Sequence, residues 1–332
     1  DGSASPGTRY RFSHDIIRYS FYRLIPEESR ARFHLDLARS FENGYEEFSG
    51  KNIFGLAYHY NRASELMEDP KERAKLIRLN CGACKAAFSA TAWEEAYGYA
   101  EKGLSLIDKN DWIRDYRGGL EFFDLGIEAA FLTGRYETMD LWIGIVEEHA
   151  MDAVDKAHGW KMKVQALVAE REFSEAVERS LEYGRRLGAK VSISSLQRFL
   201  TWNPVNRTLM YRRAVSLAEG PTRVRPVEID RKSEAIVGIL SVALGAAYLV
   251  NQEAFSNITA VIFRKSVFQG GSRSTGFAYI CLSFVLIILG RYAEAREVGR
   301  IGLSIVERSY SPTEQAKGYF FHALLIEHWE NH

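Results

Sequence analysis

Residues 131–139 read FLTGRYETM, and residues 287–295 read IILGRYAEA. In each, an apolar run stops at a glycine and an arginine, and an aromatic residue (Tyr136 or Tyr292) opens a new stretch. Three residues later stands an apolar or small side chain, Met139 or Ala295. The same aromatic-x-x-small spacing occurs at Trp93 with Ala96, Phe173 with Ala176 and Phe255 with Ile258. The five aromatics are 43, 37, 82 and 37 residues apart, and the longest gap is close to two periods of about 40.

Helical periodicity flanks each of these points. Stretches 116–132, 159–170, 235–250 and 277–289 precede a turn, and stretches 96–107, 137–150, 174–187 and 293–307 follow one. A glycine at the turn supplies the left-handed backbone that ends a helix. The aromatic is placed to fill the elbow, and the small residue lets the two helices approach. One hairpin cannot bury its apolar face alone, so copies must stack. The reading is all-α: an α-solenoid of tetratricopeptide-like helical hairpins, with a period longer than the standard repeat of about 34.

Segment 190–231 interrupts the array. It holds Pro204, Pro221 and Pro226, and the stretch EGPTRVRPVEID has no periodicity of either kind. Between 198 and 232 lie eight basic and three acidic residues, in a chain whose totals balance at 43 Lys plus Arg and 43 Asp plus Glu. Arg198, Arg207, Arg212, Arg213, Arg223 and Arg225, with Trp202 and Tyr211 interleaved, form the candidate binding set. Guanidinium forks beside aromatics suit carboxylates, phosphates or an acidic partner surface.

The overall charge balance argues against general nucleic-acid binding, which needs a basic excess. The apolar runs 235–250 and 277–289 are shorter than the ~20 residues of a bilayer span, so both read as buried helices with no membrane insertion. Three cysteines suit a reducing, cytoplasmic setting. Cys81-Gly-Ala-Cys84 falls within the helical run 73–90, where i and i+3 share a face, and reads as packing rather than a zinc or redox site. Cys281 reads as core.

The eight histidines show no metal-ligand spacing, and adjacent carboxylates such as Glu27-Glu28 diverge around a helix. No nucleophile–base arrangement and no phosphate-binding glycine loop with its lysine is present. The chain therefore reads as non-catalytic, with no cofactor and no metal.

Residues 1–8 read as an excision boundary, and the periodic stretch FFHALLIEHWENH at 320–332 has no closing signal, so a fragment of a longer protein is expected. Residues 9–50 form an N-terminal helical segment, and 51–332 the array. In the former, Ser13 is placed to cap a helix over 14–24. Pro26, Glu27 and Glu28 open a second helix whose apolar stripe is Phe33, Leu37 and Phe41.

Two runs carry a family resemblance. Arg11-Phe12, His14-Asp15 and Ile17-Arg18 are followed by Leu24-Ile25-Pro26-Glu27-Glu28, Arg30 and His34. They resemble the end of the ATPase region, at its winged helix, in large AAA-type signal-transduction ATPases that carry a tetratricopeptide-like array and often a sensor histidine kinase. Leu56–Asn61 with Ala63, Glu72-Arg73, Leu79-Asn80, Ser89–Ala92, Asp111-Trp112 and Ile326–Trp329 resemble elements of that array.

The resemblance implies a regulatory or sensor scaffold. It would bind a partner protein, a peptide, a small effector or other domains of its own chain, and self-association would be compatible with it. An enzyme with a dispersed inter-helix site, or a purely structural spacer, is the alternative.

Overall fold

The computed structural model describes residues 14–43, 53–67, 69–190, 230–268, 275–308 and 312–327. Among them are fifteen α-helices and no strand. Contacts divide the chain into two units, Asp1–Gly134 and Arg135–His332.

The first unit holds α1 (Asp15–Arg23), α2 (Glu27–Asn43), α3 (Ile53–Arg62), α4 (Pro70–Ser89), α5 (Trp93–Leu104), α6 (Lys109–Arg114) and α7 (Tyr116–Leu132). Packing runs between near neighbours: α2 on α3, α3 on α4, α4 on α5, and α5 on α7. Leu35, Ala38, Leu56, Tyr60, Leu76 and Leu79 share one core. Asn80 is fully buried, and its amide exchanges two 2.8 Å hydrogen bonds with Asn61, so a polar pair ties α3 to α4 at no unsatisfied cost.

The second unit holds α8 (Tyr136–His149), α9 (Ala157–Ala169), α10 (Phe173–Arg186), α11 (Arg231–Val250), α12 (Gln252–Phe268), α13 (Thr275–Ile288), α14 (Tyr292–Glu307) and α15 (Pro312–His322). Again α9 packs on α10, α11 on α12, α12 on α13, and α13 on α14. Helix α13 is buried from Thr275 to Ile287, which suits an element apolar all round. It meets α14 backbone to backbone: a Cβ on Gly276 would lie 2.9 Å from the Gly302 carbonyl oxygen, and one on Gly302 3.0 Å from that of Gly276.

Four of the five aromatic signals mark the first helical residue: Trp93, Tyr136, Phe173 and Tyr292. Two residues before each stands a left-handed residue, Thr91 (φ 56°), Gly134 (72°), Arg171 (65°) and Gly290 (72°). At three of these turns the next N–H reaches back five residues to close the preceding helix: Ala92 to the Ala87 oxygen (2.9 Å), Glu172 to Leu167 (2.8 Å) and Arg291 to Leu286 (2.8 Å). This is the Schellman closure of a helix end.

Phe255 departs from the pattern. Its helix opens at Gln252, after Asn251 takes an extended conformation and accepts the Ala254 N–H through Oδ1 at 2.9 Å. An asparagine cap here replaces the left-handed turn. The elbow role expected of the aromatics is also corrected. Trp93 packs on Phe88 with ring centroids 5.4 Å apart, but Tyr292 is 63% exposed. The invariably buried member is the one three residues on: Ala96, Met139, Ala176, Ile258 and Ala295.

Two further expectations change. The buried face of α2 is His34, Leu35 and Ala38, while Phe33 and Phe41 lie partly exposed on its flanks, because a histidine pair takes the core position. Helix α1 begins at Asp15, and Ser13 lies outside the described residues. Helix α11 begins earlier than its uncharged run, since Asp230 accepts the Lys232 N–H and adds Arg231 to Glu234. At 20 residues it is long and apolar enough to cross a membrane by length and composition alone. Ten of its residues are buried, against α9, α10 and α12.

Helix α5 contains a matched pair of glycines. A Cβ on Gly103 would meet the Phe122 ring at 2.5 Å and the Asn80 Cβ at 2.7 Å, whereas one on Gly98 would meet nothing within 4 Å. Gly103→Ala is expected to cost about 1–3 kcal/mol by overpacking. Gly98→Ala is expected to gain about 0.5–1 kcal/mol from helix propensity. Urea unfolding followed by circular dichroism reads both, as midpoint shifts of opposite sign.

Candidate functional site

The candidate residues Arg198, Trp202, Arg207, Tyr211, Arg212, Arg213, Arg223 and Arg225 all lie in 191–229, outside the described residues. Two basic residues of the same tally are described. Arg231 opens α11 and pairs with the buried carboxylate of Asp155 at 3.2 Å, and Lys232 follows the Asp230 cap. Arg231 thereby anchors α11 to the turn before α9.

In the first unit a cleft of about 320 Å³ opens between α4 on one side and α6 with the start of α7 on the other. Its apolar lining comes from Ala74, Ile77, Ile107 and Phe122, and its charged rim from Arg78, Lys85, Asp111, Arg114, Asp115 and Glu121.

The rim is built from helix ends. Asp108 caps α6, accepting the N–H groups of Asn110 (2.8 Å) and Asp111 (3.0 Å), while Asp111 Oδ2 accepts the Asp108 N–H at 3.1 Å. This is a reciprocal capping box. Arg73 from α4 donates to Asp108 (2.5 Å) and Asp111 (3.2 Å), clamping α6 to α4. The Arg73 guanidinium holds the Asp108 carboxyl below its usual range, helped by the Asp111 N–H.

Asp115 caps α7 by accepting the Gly118 N–H at 2.9 Å, and its carboxylate occupies the space a Cβ on residue 118 would need. Lys85 pairs with Glu121 at 2.8 Å and Arg114 with Asp111 at 3.2 Å. Arg78 is exposed on the same rim, and no described residue gives it an ion pair or hydrogen bond. It is the rim's available cation, positioned over an apolar floor.

Cys81 is half-buried in this cleft, Cys84 is fully buried one helical turn on, and both thiols are free. Burial pushes the Cys81 thiol up and that of Cys84 up to about 12. An activated nucleophile needs the opposite shift. Burial also raises Cys281 in α13. Among the described residues no cluster of three or more His, Cys, Asp or Glu side chains is placed to hold a metal ion.

One constellation escaped the spacing rules. His34 on α2 and His59 on α3 place their Nδ1 atoms 2.7 Å apart, and Tyr22 on α1 hydrogen-bonds His34 Nε2 at 3.0 Å. The pair is 25 residues apart in sequence and joined only by packing, so no local motif could announce it. His328 and His332 lie outside the described residues.

Alkylation of the native chain at neutral pH is expected to label Cys81 alone, more slowly than free cysteine, with a rate that climbs as pH rises through its elevated range. Cys84 and Cys281 should react only after unfolding. Mass spectrometry of labelled peptides checks this, and rapid native labelling of Cys84 would contradict the burial described.

No family model matches the chain. No solved structure matches it either. Among curated proteins it is similar to the hybrid signal transduction histidine kinase G of Dictyostelium discoideum, 23% identical over 211 residues. That stretch covers 56% of this chain and 6% of the kinase, so the likeness concerns a small segment of a much longer signalling protein.

Proposed function

We propose that this chain is a non-catalytic regulatory module of a larger signal-transduction protein, built as a tetratricopeptide-like α-solenoid that binds a partner and couples it to an attached ATPase or kinase. The similarity over 56% of the chain to a hybrid histidine kinase carries the signalling part of this reading. The repeated left-handed turn at Thr91, Gly134, Arg171 and Gly290, each launching a new helix, supports the array. Packing among near neighbours in each unit points the same way.

We read the partner chemistry from basic residues beside apolar and aromatic ones. Arg78 stands over the apolar floor of the α4–α6–α7 cleft, and the 198–225 segment adds six arginines with Trp202 and Tyr211. A peptide presenting a carboxylate beside an apolar side chain fits both features, because arginine grips carboxylates with two parallel N–H bonds. A reducing, cytoplasmic setting accords with three cysteines of which none is bridged.

Charge reversal tests the reading. On an array of acidic-apolar peptides, Arg78→Glu and the double variant Arg212→Glu with Arg213→Glu are expected to weaken retention about tenfold or more. That is the value of one charge-assisted hydrogen bond, about 1.5–3 kcal/mol. Peptides held equally by the wild-type and both reversed chains, or turnover of ATP by the purified chain, would contradict the proposal.

A further inference from the structure

Helix α1 is poorly embedded. Ile16, Tyr19 and Phe21 are 73%, 60% and 58% exposed. Among its described side chains Tyr22 alone is not exposed. Tyr22 reaches the 3%-exposed His34 of α2, and His34 reaches His59 of α3, so three helices are threaded on one chain of hydrogen bonds. Phe33 and Tyr58 stand edge-on to His34, and Phe41 lies against His59. The charged groups around this cluster are cationic. Arg62 of α3 lies over the Tyr58 ring at 5.0 Å, and Arg30 of α2 over the Tyr22 ring at 5.4 Å. Among the described residues no carboxylate bonds either imidazole.

Two Nδ1 atoms 2.7 Å apart can share only one proton. With both rings neutral, one Nδ1–H donates to the other Nδ1. A first added proton is accommodated on His59 Nε2: His59 Nδ1–H then donates to His34 Nδ1, and His34 Nε2–H donates to the Tyr22 oxygen. A second proton places N–H groups on both facing Nδ1 atoms. The Nδ1–Nδ1 bond is lost, and the two imidazolium charges, opposed beside Arg62, drive His34 off His59 and so away from the Tyr22 oxygen to which its Nε2–H would otherwise still donate.

We propose that Tyr22, His34 and His59 form a proton-operated latch that holds α1 on α2 and α3 and releases it when both imidazoles are charged. Burial lowers the pKa of both rings; Arg62 adds to this at each, and the neighbouring His59 does so at His34. Depressed imidazoles mean that the released chain binds more protons. The latch is therefore fully closed above the ordinary value of about 6.5, weakens as pH falls through it, and is open below the lowered values. Released α1, only nine residues long, is too short to persist as an isolated helix.

Hydrogen exchange of the full chain, corrected for the intrinsic pH dependence of exchange, tests this at pH about 7.5 and about 5.5. Protection of residues 15–23 is expected to fall about tenfold or more on acidification, while α13 keeps its own. In His59→Asn the amide oxygen accepts from His34 Nδ1–H in either charge state, so α1 should stay protected at the lower pH. Tyr22→Phe should leave α1 unprotected at both.

Equal wild-type protection at the two pH values overturns the latch. So does an acid response that persists in His59→Asn, a protected α1 in Tyr22→Phe, or a response abolished by a chelator, which would make a bound metal the cause. Should the variants fold poorly by circular dichroism, the wild-type imidazoles still decide by NMR. Two coupled titrations below about 6.5 are required, and a step above it refutes the proposal.

Discussion

A helix that stops leaves its last carbonyls without partners, and here one backbone device answers that need again and again. A single residue in the left-handed region turns the chain, and at three of the four turns the following N–H reaches back five residues to close the helix. The returning helix then begins two residues later, which fixes the rotation at which its fourth residue arrives. That residue is buried in every instance, whether Ala96, Met139, Ala176 or Ala295. Turn geometry and core packing are one constraint at these four turns.

Much of this was legible in the residues. Gly134 and Gly290 announce a left-handed turn because glycine takes that conformation without steric cost. Thr91 and Arg171 adopt it too, and no sequence rule would have picked them, since side chains other than glycine rarely go there. Their turns were recoverable only from the aromatic and small residue that follow. Phe255 carried the same signal and misled, because Asn251 caps its helix from a different position. The α2 stripe was misplaced for a related reason: periodicity assigns apolar residues to the core, and here His34 took the place with a partner 25 residues away.

The site was less legible than the fold. The cleft draws Arg78 and Cys81 from α4 and Asp111, Asp115 and Glu121 from α6 and α7, and sequence distance hides such a meeting. What sequence did anticipate is that Cys81 and Cys84 lie one turn apart in a single helix, α4, where burial pushes both thiols up. The arginine-rich stretch from Arg198 to Arg225 lies outside the described residues, so the cleft and the histidine chain are the sites that the geometry itself presents.

The left-handed turn is what closes these hairpins. Arg171 and Gly290 occupy equivalent left-handed positions, at φ 65° and 72°, and a Cβ on Gly290 would meet nothing within 4 Å. Backbone conformation alone therefore governs substitution at Gly290, and Arg171 is exposed. Urea midpoints measured for Arg171→Gly and Gly290→Ala should move in opposite directions, the first gaining and the second losing on the order of 1 kcal/mol. Two shifts of the same sign, or none, would mean that these turns are not left-handed and that the hairpins close by some other means.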